Sequence, residues 1–145
     1  MYTHQTQLRV RYGETDAMGV VYHGNYAEYF EVARVEALRH LNIVYADLEQ
    51  EGYAMPVVEM NTKFIRSALY DDVLTLKTSL ANLPSDHKFT YQQEIYNAAG
   101  TLLTLATITT YTLKKEASTQ NLVKATCPEK LYAALVPFFG ELALA

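Results

Sequence analysis

Only one stretch of this chain has the length and spacing of a long helix, and four strand-like segments follow it with no second such helix. Tyr26, Phe30, Ala33, Ala37 and Leu41 recur at helical spacing, and the pattern ends near Asn42. Glu28, Glu31, Arg34, Glu36 and Arg39 lie mostly off that face. Asn25 reads as the N-cap, with Glu28 three residues on in the capping-box position. The helix must bury its apolar face, and the simplest packing wraps one sheet around it.

The strands are read from alternation and from the turns that bound them. Leu8, Val10 and Tyr12 alternate with Arg9 and Arg11, predicting a half-buried strand ahead of the helix. After the helix, a short one is predicted from Tyr45 to Glu51, stopped by Gly52. Strands follow over Val57 to Ile65, Val73 to Leu80, Lys88 to Tyr96 and Thr101 to Leu113, with Asn97 to Gly100 as a hairpin connection. Thr126-Cys127-Pro128-Glu129 has a cap, an early proline and a capping-box glutamate, so a last helix is expected over about 127–137. The expected class is α+β, as one domain over 1–145 with no internal repeat or linker.

The last strand is apolar at both parities, with Leu103 and Leu105 on one and Leu102, Ala106 and Ile108 on the other. A sheet covered on one face only alternates more cleanly. With no spare helix in the chain, the expected cover is a second subunit. A net charge of −4 leaves no basic stripe for nucleic acid. The single cysteine, Cys127, allows no internal disulfide. No run of apolar residues approaches the ~18 needed to span a membrane. Met1-Tyr2-Thr3-His4-Gln5 carries neither a basic region nor an apolar run, so the expected address is the cytoplasm.

Between the first strand and the long helix lies Gly13-Glu14-Thr15-Asp16-Ala17-Met18-Gly19-Val20-Val21-Tyr22-His23-Gly24-Asn25-Tyr26, far longer than an ordinary strand-to-helix turn. It sets a carboxylate and a histidine just before a helix start, where free backbone N–H groups and the macrodipole favour negative charge. Hydrolysis of an activated acyl group needs those parts: fixed donors for an oxyanion, and a nucleophile or base. Gly19 and Gly24 let the backbone turn tightly and approach a substrate closely.

Arg9 to Tyr26 resembles the opening signature of hotdog-fold thioesterases of the 4-hydroxybenzoyl-CoA thioesterase type, the YbgC-like branch included. Phe30-Glu31-Val32-Ala33-Arg34, Pro56-Val57-Val58 and Tyr70-Asp71-Asp72-Val73-Leu74 agree in order, so the resemblance spans about residues 6 to 115. It implies a hotdog fold, a five-stranded antiparallel sheet wrapped around one long central helix. It implies acyl-CoA hydrolysis in a homo-oligomer, a dimer or homotetramer, with active sites at subunit interfaces. The family's catalytic carboxylate falls on Asp16 and its carbonyl-polarising backbone N–H on His23. Glu14 stands where some relatives have Asp, a neutral exchange.

The His23 imidazole is a second candidate, for orienting Asp16 or water. Tyr26 is expected at the pocket wall. Lys63, Arg66, His87 and Lys88 are candidates for the phosphates of coenzyme A, although Ser85-Asp86-His87-Lys88 is less basic than the matching stretch of the hydroxybenzoyl enzymes. That departure leaves an acyl-carrier-protein thioester open as the substrate. Glu59 is expected to pair with Lys63 or Arg66. The four histidines lack metal-ligand spacing, so neither metal nor cofactor is expected beyond the coenzyme A of the substrate. Two alternatives differ in class: a non-catalytic acyl-thioester binder, and a hydroxyacyl dehydratase, whose proline-rich histidine motif this sequence lacks.

Overall fold

The long helix, α1 (Tyr26–His40), buries Tyr26, Tyr29, Phe30, Ala33, Ala37 and Leu38, the three- and four-residue spacing of one face. The computed structural model describes residues 1–140. Five antiparallel strands receive that face: β1 (Tyr2–Arg9), β3 (Val57–Phe64), β4 (Val73–Leu80), β5 (Lys88–Tyr96) and β6 (Leu102–Tyr111). Their order in the sheet is β1-β4-β5-β6-β3. Leu74, Leu76, Ile95, Leu103, Ala106 and Ile108 meet the N-terminal half of α1 in one core. A second cluster at its C-terminal half gathers Leu38, Leu48 of α2 (Tyr45–Gln50), Phe89, Tyr91 and Leu131 of α3 (Glu129–Leu135). No helix among the described residues is long and apolar enough to cross a membrane.

Several local expectations shift. The first strand is Tyr2–Arg9 rather than Leu8 to Tyr12, and it pairs along its length with β4, from Tyr2 opposite Leu80 to Arg9 opposite Val73. Its inward positions include His4 and Thr6, which hide the alternation from an apolar pattern. The Asn25 capping box does not form. Asn25 already has helical backbone in a 3-10 turn over His23–Asn25, and its amide donates instead to the Glu14 carbonyl at 2.8 Å. Pro128 sits before α3 rather than within its first turn, with no side-chain cap. The 97–100 hairpin forms as expected, with Asn97 Oδ1 accepting from the Ala99 and Thr101 N–H groups. Three short strands, β2 (Tyr53–Ala54), β7 (Leu113–Lys115) and β8 (Leu122–Lys124), make a small second sheet. β8 is exposed throughout and carried no readable alternation.

The two-sided pattern of β6 has a different cause from the one expected. Its register against β5 shifts between Ile95, opposite Thr104, and Tyr96, opposite Leu102. The residue skipped is Leu103, which the irregularity turns into the core beside Ala106 and Ile108. Leu105 stays exposed. The larger bare apolar surface lies on the edge strand β3 and just past it, where Val57, Val58, Met60, Phe64 and Ile65 are all exposed. Leu103→Ala is therefore expected to lower unfolding free energy by about 2–5 kcal/mol and Leu105→Ala by less than about 1 kcal/mol, read by urea denaturation at low protein concentration. Equal costs would refute the register-shift explanation.

Candidate active site

The segment ahead of α1 is a tied-down loop. Asp16 donates its N–H to the Val20 carbonyl at 2.8 Å, Gly19 donates back to the Asp16 carbonyl at 2.9 Å, and Tyr22 donates to the Glu14 carbonyl at 3.0 Å. Gly19 sits at φ +79°, left-handed backbone that the tight turn requires. The loop is also stitched to the connection between β3 and β4, where Val21 donates to the Ala68 carbonyl at 2.9 Å. Asp16 Oδ1 accepts the Met18 N–H at 2.8 Å, and Oδ2 makes no hydrogen bond among the described residues. The carboxylate thus forms the turn with one oxygen and keeps the other available.

Glu14 fastens this loop to the helix. Its carboxylate accepts the Arg11 N–H at 2.8 Å, the Arg11 guanidinium at 3.0 Å and the Tyr29 hydroxyl at 3.0 Å. Burial pushes the Glu14 carboxyl up, but the hydrogen bonds from Arg11 and Tyr29 outweigh it, and the net shift is downward. The exchange for aspartate read as neutral in the sequence is structural here, because the longer side chain bridges the turn and Tyr29.

His23 and Gly24 open the 3-10 turn that runs into α1, so their N–H groups have no acceptor within the helix. Neither N–H finds a backbone acceptor elsewhere among the described residues. A Cβ on Gly24 would come within 2.7 Å of the Tyr22 ring, which lies against His23 at 4.4 Å between centroids. The His23 imidazole makes no hydrogen bond to Asp16 and rests between the Tyr22 and Phe64 rings.

Asp16, His23 and Tyr26 line one cavity of about 240 Å³, together with Met18, Val21, Phe64 and Arg66. Tyr26 is its wall, edge-on to Phe64 at 5.3 Å, with the Ala68 N–H directed to its hydroxyl. Burial raises the Tyr26 phenol, keeping it neutral. Gly19 shapes the loop without lining the cavity. Lys63 is exposed on β3 outside the lining, and Lys88 borders a separate depression with Asp86. Arg66 is the candidate cation that does reach the cavity. Glu59 forms no ion pair with Lys63 or Arg66, because all three lie exposed on or beside an open edge strand where nothing drives them together. Cys127 is buried away from this site, and burial pushes its thiol up to about 12. Among the described residues, no three His, Cys, Asp or Glu side chains converge as a metal site would need.

The sequence model of the thioesterase-like superfamily matches residues 10–135, from the end of β1 through α3. The chain belongs to that superfamily. The acyl-CoA thioester hydrolase YbgC of Escherichia coli is 37% identical over 101 residues, 70% of this chain and 75% of that protein. The crystal structure of a DHNA-CoA thioesterase from Staphylococcus aureus superposes with a TM-score of 0.77 at 35% identity, covering 86% of this chain and 81% of that one. A 4-hydroxybenzoyl-CoA thioesterase superposes at 0.80 with 19% identity over 92% of this chain and 99% of that one, a likeness of fold. The fold is the hotdog, and the class is that of thioester hydrolases.

Glu14→Gln is expected to loosen the loop, with a sign set by the depressed carboxyl. Such a group contributes stability above its ordinary pKa and loses it as pH falls through the lower folded value. The gap in unfolding free energy between wild type and variant should be widest near neutrality and close on acidification, followed by urea titrations across pH. A gap that stays constant with pH would show that Glu14 acts by packing rather than by charge.

Proposed function

We propose that the chain hydrolyses an acyl-CoA thioester to the free acid and coenzyme A in the cavity shared by Asp16 and His23. The observation that supports this most is the pairing of a carboxylate oxygen with no hydrogen-bond partner and a free helix-start N–H in one cavity on a loop held rigid from three sides. Thiolate is a good leaving group, so the chemistry asks for a fixed oxyanion donor and a carboxylate rather than a metal. The His23 N–H takes the carbonyl oxygen as it gains charge, aided by the α1 dipole behind it. Asp16 Oδ2 then either attacks the carbonyl carbon, giving an anhydride that water opens, or removes a proton from the attacking water. Arg66 is positioned to meet an anionic part of coenzyme A at the cavity mouth.

A homo-oligomer belongs to the same reading. β3 is the last strand of the sheet, paired with β6 on one side and unpaired on the other among the described residues, and it exposes Val57, Met60 and Phe64, a surface suited to pairing with another strand. Antiparallel pairing of two such edges about a two-fold axis sets the Phe64 end of one beside the partner's Val57, and so closes the open side of the Asp16 cavity.

Asp16→Asn should lower kcat about 100-fold or more against a panel of acyl-CoA esters followed with a thiol reagent. Turnover within a few-fold of wild type would remove Asp16 from the mechanism. The backbone role of His23 separates from its side chain by proline, which deletes the N–H yet suits the first position of a helical turn. Tyr22, at φ −62° and ψ 133°, already has the extended backbone a following proline requires. His23→Pro is expected to cost about 100-fold in kcat, near 3 kcal/mol, and His23→Ala under about tenfold. The reverse ranking would assign the imidazole instead of the N–H.

A further inference from the structure

A second cavity of about 210 Å³ lies further along α1, between that helix and the Val57 end of β3. Its walls are apolar, with Val35, Leu38, Met55 and Val57 among them. Of its polar groups, the Tyr45 hydroxyl accepts the Met55 N–H at 3.0 Å, and the others are less fully partnered. The Arg34 guanidinium makes one hydrogen bond, to Gln93 Oε1 at 3.0 Å, and no carboxylate comes within ion-pair distance among the described residues. Thr110 is 3% exposed, and its hydroxyl finds no partner. Tyr91 also lines the cavity, its hydroxyl makes no hydrogen bond to another described residue, and the Arg34 Cζ lies 5.9 Å from its ring centroid.

This guanidinium is held in place. Gln93 is 1% exposed and gives both amide hydrogens away, to the Phe30 carbonyl and to Thr78 Oγ1, each at 3.0 Å. Its oxygen must therefore face Arg34. Burial lowers the Arg34 pKa, yet a guanidinium stays charged throughout the working range. Glu31 faces the same cavity from an exposed position and acts on Arg34 by charge, without coming within ion-pair distance of it. An aimed, partly buried cation beside the unpartnered Thr110 hydroxyl, the Tyr91 hydroxyl and apolar walls is the complement of a short hydrocarbon ending in an anionic oxygen.

We propose that this cavity selects the far end of the acyl group and takes a carboxylate-terminated chain on Arg34, Thr110 and Tyr91. The assignment rests on the hydrolase reading and on the two-fold β3 pairing proposed above. Within one chain the two cavities sit at opposite ends of β3, roughly 23 Å apart at the rise of a strand. Across the two-fold pairing of β3, the partner's Arg34 cavity comes beside the Asp16 cavity, so the thioester lies in one and the acyl end in the other. Arg34 is then a specificity-determining residue, held by Gln93 as its positioning residue.

The test compares two CoA esters of equal length, hexanoyl-CoA and adipoyl-CoA, the second ending in a carboxylate. Wild type should favour the carboxylate ester about tenfold or more in kcat/KM, chiefly through KM. Arg34→Met should bring that ratio to about one, Thr110→Val should reduce it, and Arg34→Lys should recover part of it, because the charge returns without the fork. Circular dichroism checks that each variant is folded. A wild-type ratio of one or less, or an Arg34→Met ratio equal to that of wild type, overturns the assignment. If wild type hydrolyses neither ester, the hydrolase reading fails separately, and calorimetry with adipate decides the cavity. Binding to wild type that Arg34→Met abolishes supports the site, and binding that is absent or equal in both refutes it.

Discussion

Burial of one face of α1 against the five-stranded sheet is the contact on which the rest of the structure depends. The chain has one long helix and one large sheet, and each covers the apolar face of the other. Phe30, Ala33 and Tyr29 meet Leu74, Ile95 and Ile108 in a core with almost no exposure. At roughly 25 cal/mol per Å² of buried apolar surface, this is the main term opposing chain entropy. It also fixes where the helix begins, and the helix start is the reference point for the site.

From that anchor the functional loop is built outward by hydrogen bonds rather than by burial. Most of its residues are partly or fully exposed, so packing alone would leave it mobile. Glu14 ties it to Tyr29 on the helix and to Arg11, the Asp16–Gly19 turn closes it on itself, and Val21 and Tyr26 tie it to Ala68. Rigid placement of a carboxylate and a backbone donor is what a site acting on a developing oxyanion requires. The same logic recurs at Arg34, where a buried amide with both hydrogens committed aims a charge into a cavity.

Much of this was legible residue by residue. The spacing from Tyr26 to Leu41 announced the helix, and Asn97 to Gly100 the hairpin, because both depend on local rules. Asp16 and His23 are each common turn or structural residues alone, and they stood out through the whole Gly13 to Tyr26 loop and its resemblance to a family signature. Other features were hidden for definable reasons. β1 carries His4 and Thr6 at inward positions, so no apolar alternation marked it. Leu103 reached the core through a register shift that pattern reading takes for a second apolar face. Lys88 could be proposed beside the site from order along the chain, yet the fold carries it to a separate depression.

The sequence by itself determined the order of the long helix and the strands after it in the main sheet, the class of fold, the family and the loop that carries the carboxylate, because each rests on short-range spacing or on a motif of adjacent residues. Tertiary structure decided which distant residues share a cavity. Phe64 and Arg66 join Asp16 only because the turn after β3 is bonded to the loop through Ala68 and Leu69. Arg34 meets Tyr91 and Thr110 only because α1 packs against the sheet to which β5 and β6 belong. No local pattern could state these meetings, since they depend on strand order and register, which long-range hydrogen bonding and core packing set together.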